Sequence, residues 1–210
     1  MGSLQAELFV EDRAHEEFCK AMVYRLCRED NRRVTLIVRS ARGGHGRALT
    51  EFSLYQRALE KGLLHVPDML IVAIDANCQR FAAMRQEISA RIIPNLRNCT
   101  AIACPDPHVE RWYMADSLSF ATVVGVSPKV GRKKCTRGFY KKALVDAVHQ
   151  AGHIPTLGGI EFARELVEDM DLYRAAKNDR ALRAFIDILG SLPGRTPGVS
   201  APDHVGGRQG

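Results

Sequence analysis

The stretch "PDMLIVAIDAN", residues 67–77, joins an uninterrupted apolar run to an acid and an amide. A short run of this kind predicts a central strand of a parallel sheet, buried on both faces. Ligands of open α/β sheets bind beyond the carboxyl ends of the strands. Asp75 and Asn77 are therefore candidate binding residues, and the alternative is an Asp/Asn turn that merely follows a buried strand.

The segments around this strand predict an α/β fold. Three further strands are expected in "AELFV" (6–10), "RVTLIVRS" (33–40) and "TAIAC" (100–104), each alternating with a segment of helical periodicity. This order predicts a parallel sheet of about four strands flanked by helices. After residue 120 only helical patterns follow, so we expect an α/β domain over 1–120, a helical extension over 121–192 and a disordered Gly/Pro-rich tail over 193–210.

Composition limits the class of protein. The chain has 210 residues, 46% of them hydrophobic and 26% charged, which is typical of a globular protein. The net charge of +6 favours polyanionic partners. We find no signal-like N-terminus and no apolar run of membrane-spanning length, so the sequence predicts a cytoplasmic protein with no membrane partner.

The six cysteines show no C-x-x-C spacing, so no metal or redox motif follows, and we expect reduced thiols. A zinc site built from Cys99, Cys104 and His108 lacks a fourth ligand at suitable spacing. Buried thiols on a strand are the simpler interpretation of the two cysteines.

Acids follow two of the predicted strands at the same edge of the sheet. Glu11 comes after "LFV", and Asp75 comes after "LIVAI" with Asn77 two places on. If the chain stays extended through them, Asp75 and Asn77 point to the same side. Carboxylate and amide oxygens suit Mg²⁺ or Mn²⁺, so Glu11, Asp75 and Asn77 are predicted metal ligands. Glu110, after the fourth strand, is either a third catalytic acid or a first-turn residue that complements the helix dipole.

Four motifs together resemble the Toprim family: "FVEDRAHEEF" (9–18), "VAIDAN" (72–77), "PHVERW" (107–112) and the loop "GGHG" (43–46). The likeness is greatest to Toprim-like proteins of bacterial anti-phage systems, the OLD-type nucleases and small stand-alone relatives encoded beside ATPases. It implies a metal-dependent nuclease with Glu11, Asp75 and Glu110 as catalytic residues, and an ATPase sensor as partner. His45 in the glycine loop is either a phosphate contact or a structural residue.

Three positions depart from the Toprim pattern. Asp12 stands where a glycine is usual, His15 where an acid is frequent, and Asn77 where the second acid of Asp-x-Asp is expected. Losing that carboxylate favours one metal ion over two. It also leaves open a second hypothesis, a catalytically inactive Toprim-fold module that binds nucleic acid or docks on an ATPase partner.

A basic segment, "SPKVGRKKCTRGFYKK" (127–142), contains no acid. Its cations predict contacts to a nucleic-acid backbone, without a preference for DNA or RNA, although a solvated loop is the simpler alternative. The sequence is also compatible with a homo-oligomer. The predicted nucleic-acid-binding residues are Lys129, Arg132, Lys133, Lys134, Arg137, Lys141 and Lys142.

Overall fold

The computed structural model describes residues 3–41 and 45–191, with only the backbone of His45, and contains one four-stranded parallel sheet. The strands are β1 (Leu4–Val10), β2 (Val34–Ser40), β3 (Met69–Ala73) and β4 (Thr100–Ala103), in the spatial order β2-β1-β3-β4. The predicted α/β fold with helices around a parallel sheet is confirmed, and every residue of the central strand β3 is buried.

Helices surround the sheet and make up the C-terminal part of the chain. In the first half of the chain the helices alternate with the strands, as the pattern predicts. The helices are α1 (Arg13–Glu29), α2 (His45–Glu60), α3 (Phe81–Ser89), α4 (Glu110–Tyr113), α5 (Ser117–Val124), α6 (Phe139–Gln150), α7 (Ala163–Asp169), α8 (Leu172–Asn178) and α9 (Arg180–Ser191).

The two faces of the sheet bury two apolar clusters, because alternate residues of a strand point to opposite sides. On one face Leu8 and Ile71 pack with α1 and the C-terminal helices. On the other face Phe9 and Val72 pack with α2 and α3, with Phe9 and Phe52 forming an aromatic contact whose ring centroids lie 5.1 Å apart.

Backbone pairing brings the ends of β1 and β3 together. The N–H of Glu11 donates to the carbonyl of Ala73 over 2.9 Å, and the N–H of Ile74 donates to the carbonyl of Ala103. The parallel register therefore places the residues that follow each strand side by side at the carboxyl edge. The candidate site lies at this edge.

The C-terminal helices share the core of the sheet domain. Trp112 is fully buried, and its ring stacks on Phe185 of α9 with centroids 5.6 Å apart. The predicted division at residue 120 falls inside α5. The predicted tail over 193–210 lies outside the described residues. In the described part of the chain no helix is long and apolar enough to cross a membrane.

The Asp-Pro pair after β4 does not start a helix. The pattern Asp-Pro predicts that Asp106 caps a helix that starts at Pro107. Instead α4 begins at Glu110 with Val109 as its N-cap residue. The carboxylate of Asp106 accepts a hydrogen bond from Lys133 over 2.6 Å, so this acid contacts the basic segment.

Candidate metal centre and nucleic-acid interface

Three side chains converge at the carboxyl edge of the sheet. Glu11, His15 and Asp75 each place a potential ligand atom within 4.8 Å of the others. Glu11 also accepts the backbone N–H of Asp75 at Oε2 over 3.1 Å, which fixes the two acids relative to each other. The structure therefore brings together two of the acids that the sequence predicts as metal ligands.

His15 lies between two carboxylates and is fully buried. Its Nδ1 is 2.8 Å from Asp12 Oδ1, and its Nε2 is 3.0 Å from Asp75 Oδ1. Asp12 is also the N-cap of α1 and accepts the backbone N–H of His15, which explains why an acid stands where the Toprim pattern has glycine. The first turn of α1 thus presents an imidazole to the site.

Asp75 carries its negative charge in a buried position because two imidazoles surround it. His108 Nδ1 lies 3.0 Å from Asp75 Oδ2, opposite the contact with His15. Burial alone would raise the pKa of Asp75, but the charge of His15 and the hydrogen bonds from both imidazoles lower it. Burial likewise opposes the charge of His15, yet Asp75 and Asp12 hold its pKa well above the ordinary value.

The protonated form of His15 decides which groups can bind a metal ion. An imidazolium that donates from both nitrogens has no lone pair left for a metal. An ionised carboxylate offers about four acceptor positions, and the two imidazoles use two of those on Asp75. Glu11 and Asp75 are therefore the groups suited to hold Mg²⁺ or Mn²⁺, with His15 orienting Asp75 from behind.

Glu110 begins α4 and is not one of the three residues whose potential ligand atoms lie within 4.8 Å of one another. Burial, together with the negative charge of Asp75, raises the pKa of Glu110. The charge of Asp75 thus acts on Glu110, the first residue of α4. Its predicted role as a third catalytic acid stays a prediction.

The assumption behind the prediction for Asn77 is wrong. The chain does not stay extended, since Asn77 has φ +45° and Cys78 has φ +70°. Asparagine is among the few residues that adopt this left-handed conformation readily, so the amide has a backbone reason to be there. The N–H of Asn77 donates to the carbonyl of Pro107 over 3.1 Å, and its side chain is exposed.

The basic segment is exposed and lies beside the site. All seven of its predicted nucleic-acid-binding cations are solvent-accessible. Lys133 contacts Asp106, while Lys141 and Lys142 stand in the first turn of α6, where the helix dipole adds to their positive charge. Lys134 lies over the ring of Phe139, 4.6 Å from its centroid. The segment therefore presents cations at one side of the carboxyl edge.

A disulfide joins Cys135, in the middle of the basic segment, to Cys78, the residue that follows Asn77. The Cα atoms of the pair are 5.5 Å apart, across 57 residues of sequence. The expectation of reduced thiols is therefore wrong for these two cysteines. The other four form no disulfide in the described part of the chain; Cys104 is buried directly after β4, as the simpler interpretation predicts, whereas Cys99 is half-buried and ends a 3-10 helix before β4.

Some predicted residues lie outside the site or outside the described residues. The side chain of His45 and residues 42–44 of its loop are not described, so its predicted phosphate contact stays a prediction. His108 contacts Asp75 and not Cys104 in a zinc site. The Nε2 atom of His108 is buried and has no hydrogen-bond partner among the described residues.

Sequence reasoning missed His15 and His108 as parts of the site. His15 lies in the first turn of α1, and this helix begins directly after the short loop that follows β1, which is a usable signal that His15 lies near the carboxyl edge. His108 follows β4 at the same edge of the sheet, which is a weaker signal of the same kind. No sequence signal pairs Cys78 with Cys135.

Comparisons with family models, curated proteins and solved structures find no match to this chain.

Proposed function

We propose that this protein is a metal-dependent nuclease of the Toprim type that hydrolyses phosphodiester bonds of nucleic acid. The observation that carries the proposal is the convergence of Glu11 and Asp75, with His15, at the carboxyl edge of a parallel sheet. The four motifs that resemble Toprim sequences favour this function over other uses of an acidic site. By the same resemblance, we propose a role as effector in bacterial anti-phage defence, with an ATPase sensor as partner.

Individual residues of the chain would have separate roles in such a reaction. Asp75 stays ionised because of its two imidazoles, and Glu11 is held beside it through the backbone N–H of Asp75. Bound Mg²⁺ or Mn²⁺ would supply Lewis-acid stabilisation of charge on the phosphate. A phosphate oxygen would also satisfy the unpartnered Nε2 of His108.

The basic segment supports a polyanionic substrate. It is tied to the loop after β3 by the disulfide and to the segment after β4 by the contact between Lys133 and Asp106. A backbone lying along these cations would pass close to Asp75. Contacts of this kind bind DNA and RNA without reading sequence.

The second hypothesis is a catalytically inactive module that binds nucleic acid or docks on an ATPase partner. The contacts of Asp75 favour it, because both carboxylate oxygens already accept hydrogen bonds from imidazoles. Binding of nucleic acid without cleavage would distinguish this hypothesis from the first.

The test is cleavage of supercoiled plasmid and of transfer RNA by the purified chain, as a titration of Mg²⁺ and Mn²⁺ against a chelator control. We expect Asp75→Asn to lower the rate by about 100-fold or more, in line with the loss of one preorganised electrostatic group at a reacting centre. Asp68→Asn is the matched control, because Asp68 lies at the opposite end of β3 and accepts the N–H of Gln5.

The outcomes separate the hypotheses. Cleavage that Asp68→Asn retains and Asp75→Asn loses supports the nuclease. Equal cleavage by Asp75→Asn and the parent at every metal concentration would remove Asp75 from the site. Nucleic-acid binding by the parent with no cleavage under any condition would favour the inactive module.

A further inference from the structure

The bond between Cys78 and Cys135 connects the two segments that the proposed function needs. Cys78 follows Asn77 at the carboxyl edge, and Cys135 lies between Lys134 and Arg137 in the basic segment. Both cysteines are exposed, whereas Cys19, Cys27 and Cys104 are buried. The bonded pair is thus accessible to a thiol in solution, which is the first requirement for exchange.

The segment around Cys135 has few other polar attachments, and Val126 and Val130 pack against the core. Residues 126–138 form no helix or strand, and Gly131 and Gly138 adopt left-handed conformations. Its polar contacts include the exposed pair of Lys133 with Asp106 and the N–H of Lys134, which donates to the hydroxyl of Tyr140. An exposed ion pair contributes little, so the disulfide is the strongest of these attachments.

The other end of the bond lies in a constrained turn. Cys78 has φ +70°, a conformation that cysteine rarely adopts, directly after the left-handed Asn77. Cutting the bond would remove one of the constraints that hold this turn. The redox state of the pair therefore acts on both the loop after Asp75 and the position of the cations.

We propose that Cys78 and Cys135 form a thiol-exchange site whose bond tethers the basic segment to the carboxyl edge of the sheet. The ligand class is a dithiol or low-molecular-weight thiol. Two thiols of the reductant lose two electrons and two protons and become a disulfide, while the sulfur–sulfur bond breaks and Cys78 and Cys135 each gain a proton. Reduction releases residues 129–137, and oxidation fixes them beside Asp75. In reducing compartments the disulfides that do form are usually transient, with a catalytic or redox-sensing role.

The first measurement is limited trypsin digestion, because the segment contains the cleavage positions and the readout needs no nuclease activity. We expect dithiothreitol to speed cleavage within residues 129–142 by about tenfold or more, since proteolysis follows the population of the open segment. The double variant Cys78→Ser/Cys135→Ser should be cleaved at the fast rate with or without dithiothreitol. Cys99→Ser, which changes a free and half-buried cysteine, should behave as the parent.

Peptide mapping without reductant, after treatment with oxidised glutathione, tests the bond directly. A linked pair of peptides that contains Cys78 and Cys135 supports the proposal. Free thiols at both positions would overturn it, and so would a double variant that resists trypsin as well as the oxidised parent.

A second measurement distinguishes this proposal from the proposed function. Any effect of the tether on nucleic-acid binding rests on that proposed function. Binding of a fluorescent DNA or RNA oligonucleotide is measured by anisotropy with a chelator present, so that no cleavage occurs. Weaker binding by the reduced parent and by the double variant supports the tether as a substrate-positioning device. Faster proteolysis with unchanged affinity supports the tether itself and counts against a nucleic-acid role for this segment.

Discussion

The carboxyl edge of the sheet and the helical region each bury an aspartate, and the two differ in what surrounds them. Asp75 accepts hydrogen bonds from two imidazoles, those of His15 and His108. Asp116, the N-cap of α5, accepts from Arg174, from the hydroxyl of Ser119 and from the backbone N–H of Asp171. One carboxylate contacts groups that can lose a proton, and the other contacts groups that cannot.

This difference separates a structural acid from a candidate functional one. Asp116 joins α5 to the start of α8, so its contacts serve to hold helices together. Asp75 holds no helix pair through its carboxylate in the same way, and its neighbour at the edge is a second acid, Glu11. Two acids side by side can share one cation, which is a reason to look for metal at the sheet edge and not between the helices.

The largest expected effect that tests this comparison is the loss of stability when each aspartate is replaced by asparagine. We expect Asp116→Asn to lower the free energy of unfolding by about 3 kcal/mol, because the buried hydroxyl of Ser119 and the part-buried donors of Arg174 and Asp171 lose a charged acceptor. Asp75→Asn should lower it by only about 1 kcal/mol, since a neighbouring imidazole can lose its proton and stay buried. Urea unfolding at neutral pH measures both.

Asp146→Asn is the control, because its contact with Lys142 is exposed and should contribute less than about 0.5 kcal/mol. Equal destabilisation by Asp75→Asn and Asp116→Asn would break the comparison. It would make Asp75 a structural acid of the same kind.

A smaller effect is the pH dependence that Asp116 produces. Burial alone would raise the pKa of Asp116, but the hydrogen bonds from Arg174 and Ser119 lower it from the ordinary 3.8 to about 2. An acid whose pKa is depressed on folding stabilises the protein above the unfolded value and loses that contribution as pH falls toward the folded value. The parent should therefore lose about 2 kcal/mol more than Asp116→Asn between about pH 4 and pH 2.

Urea midpoints at several pH values across this window provide the measurement. Asp146→Asn is again the control, because it removes one carboxylate whose contact with Lys142 is exposed. Parallel curves for the parent and Asp116→Asn would show that the carboxylate of Asp116 is not held in its charged form.

The sheet and two of its acids could be predicted because backbone rules control them. Apolar runs predict β1 and β3, and parallel pairing then brings the residues after them, Glu11 and Asp75, to one edge. The contacts of Asp75 with His15 and His108 depend on side-chain packing between elements far apart in sequence. The turn at Asn77 and the bond from Cys78 depend on backbone angles and on tertiary contacts that no local pattern specifies.

The smallest effect concerns Asn77, the exposed neighbour of Asp75, and asks whether its amide serves the backbone or a metal ion. Asn77→Leu should lose about 1 kcal/mol of stability through left-handed strain, whereas Asn77→Gly should lose none. Asn31→Leu is the matched control, because Asn31 has φ +55° at the end of α1, away from the carboxyl edge, and its replacement costs the same strain.

Cleavage assays on variants of Asn77 test whether its amide binds a metal ion. Asn77→Asp keeps a residue that tolerates the left-handed conformation and adds a charge, so we expect cleavage to be preserved or to need less Mg²⁺. Asn77→Leu should cleave at a rate between those of Asp75→Asn and the parent, and Asn31→Leu should cleave as the parent does.

The variant Asn77→Gly distinguishes a role in the turn from a role in metal binding, because it keeps the turn and removes the side-chain oxygen. Near-parental cleavage by Asn77→Gly means that the amide serves the turn. Loss of cleavage at unchanged stability, recovered by raising Mg²⁺, means that the amide oxygen binds the metal.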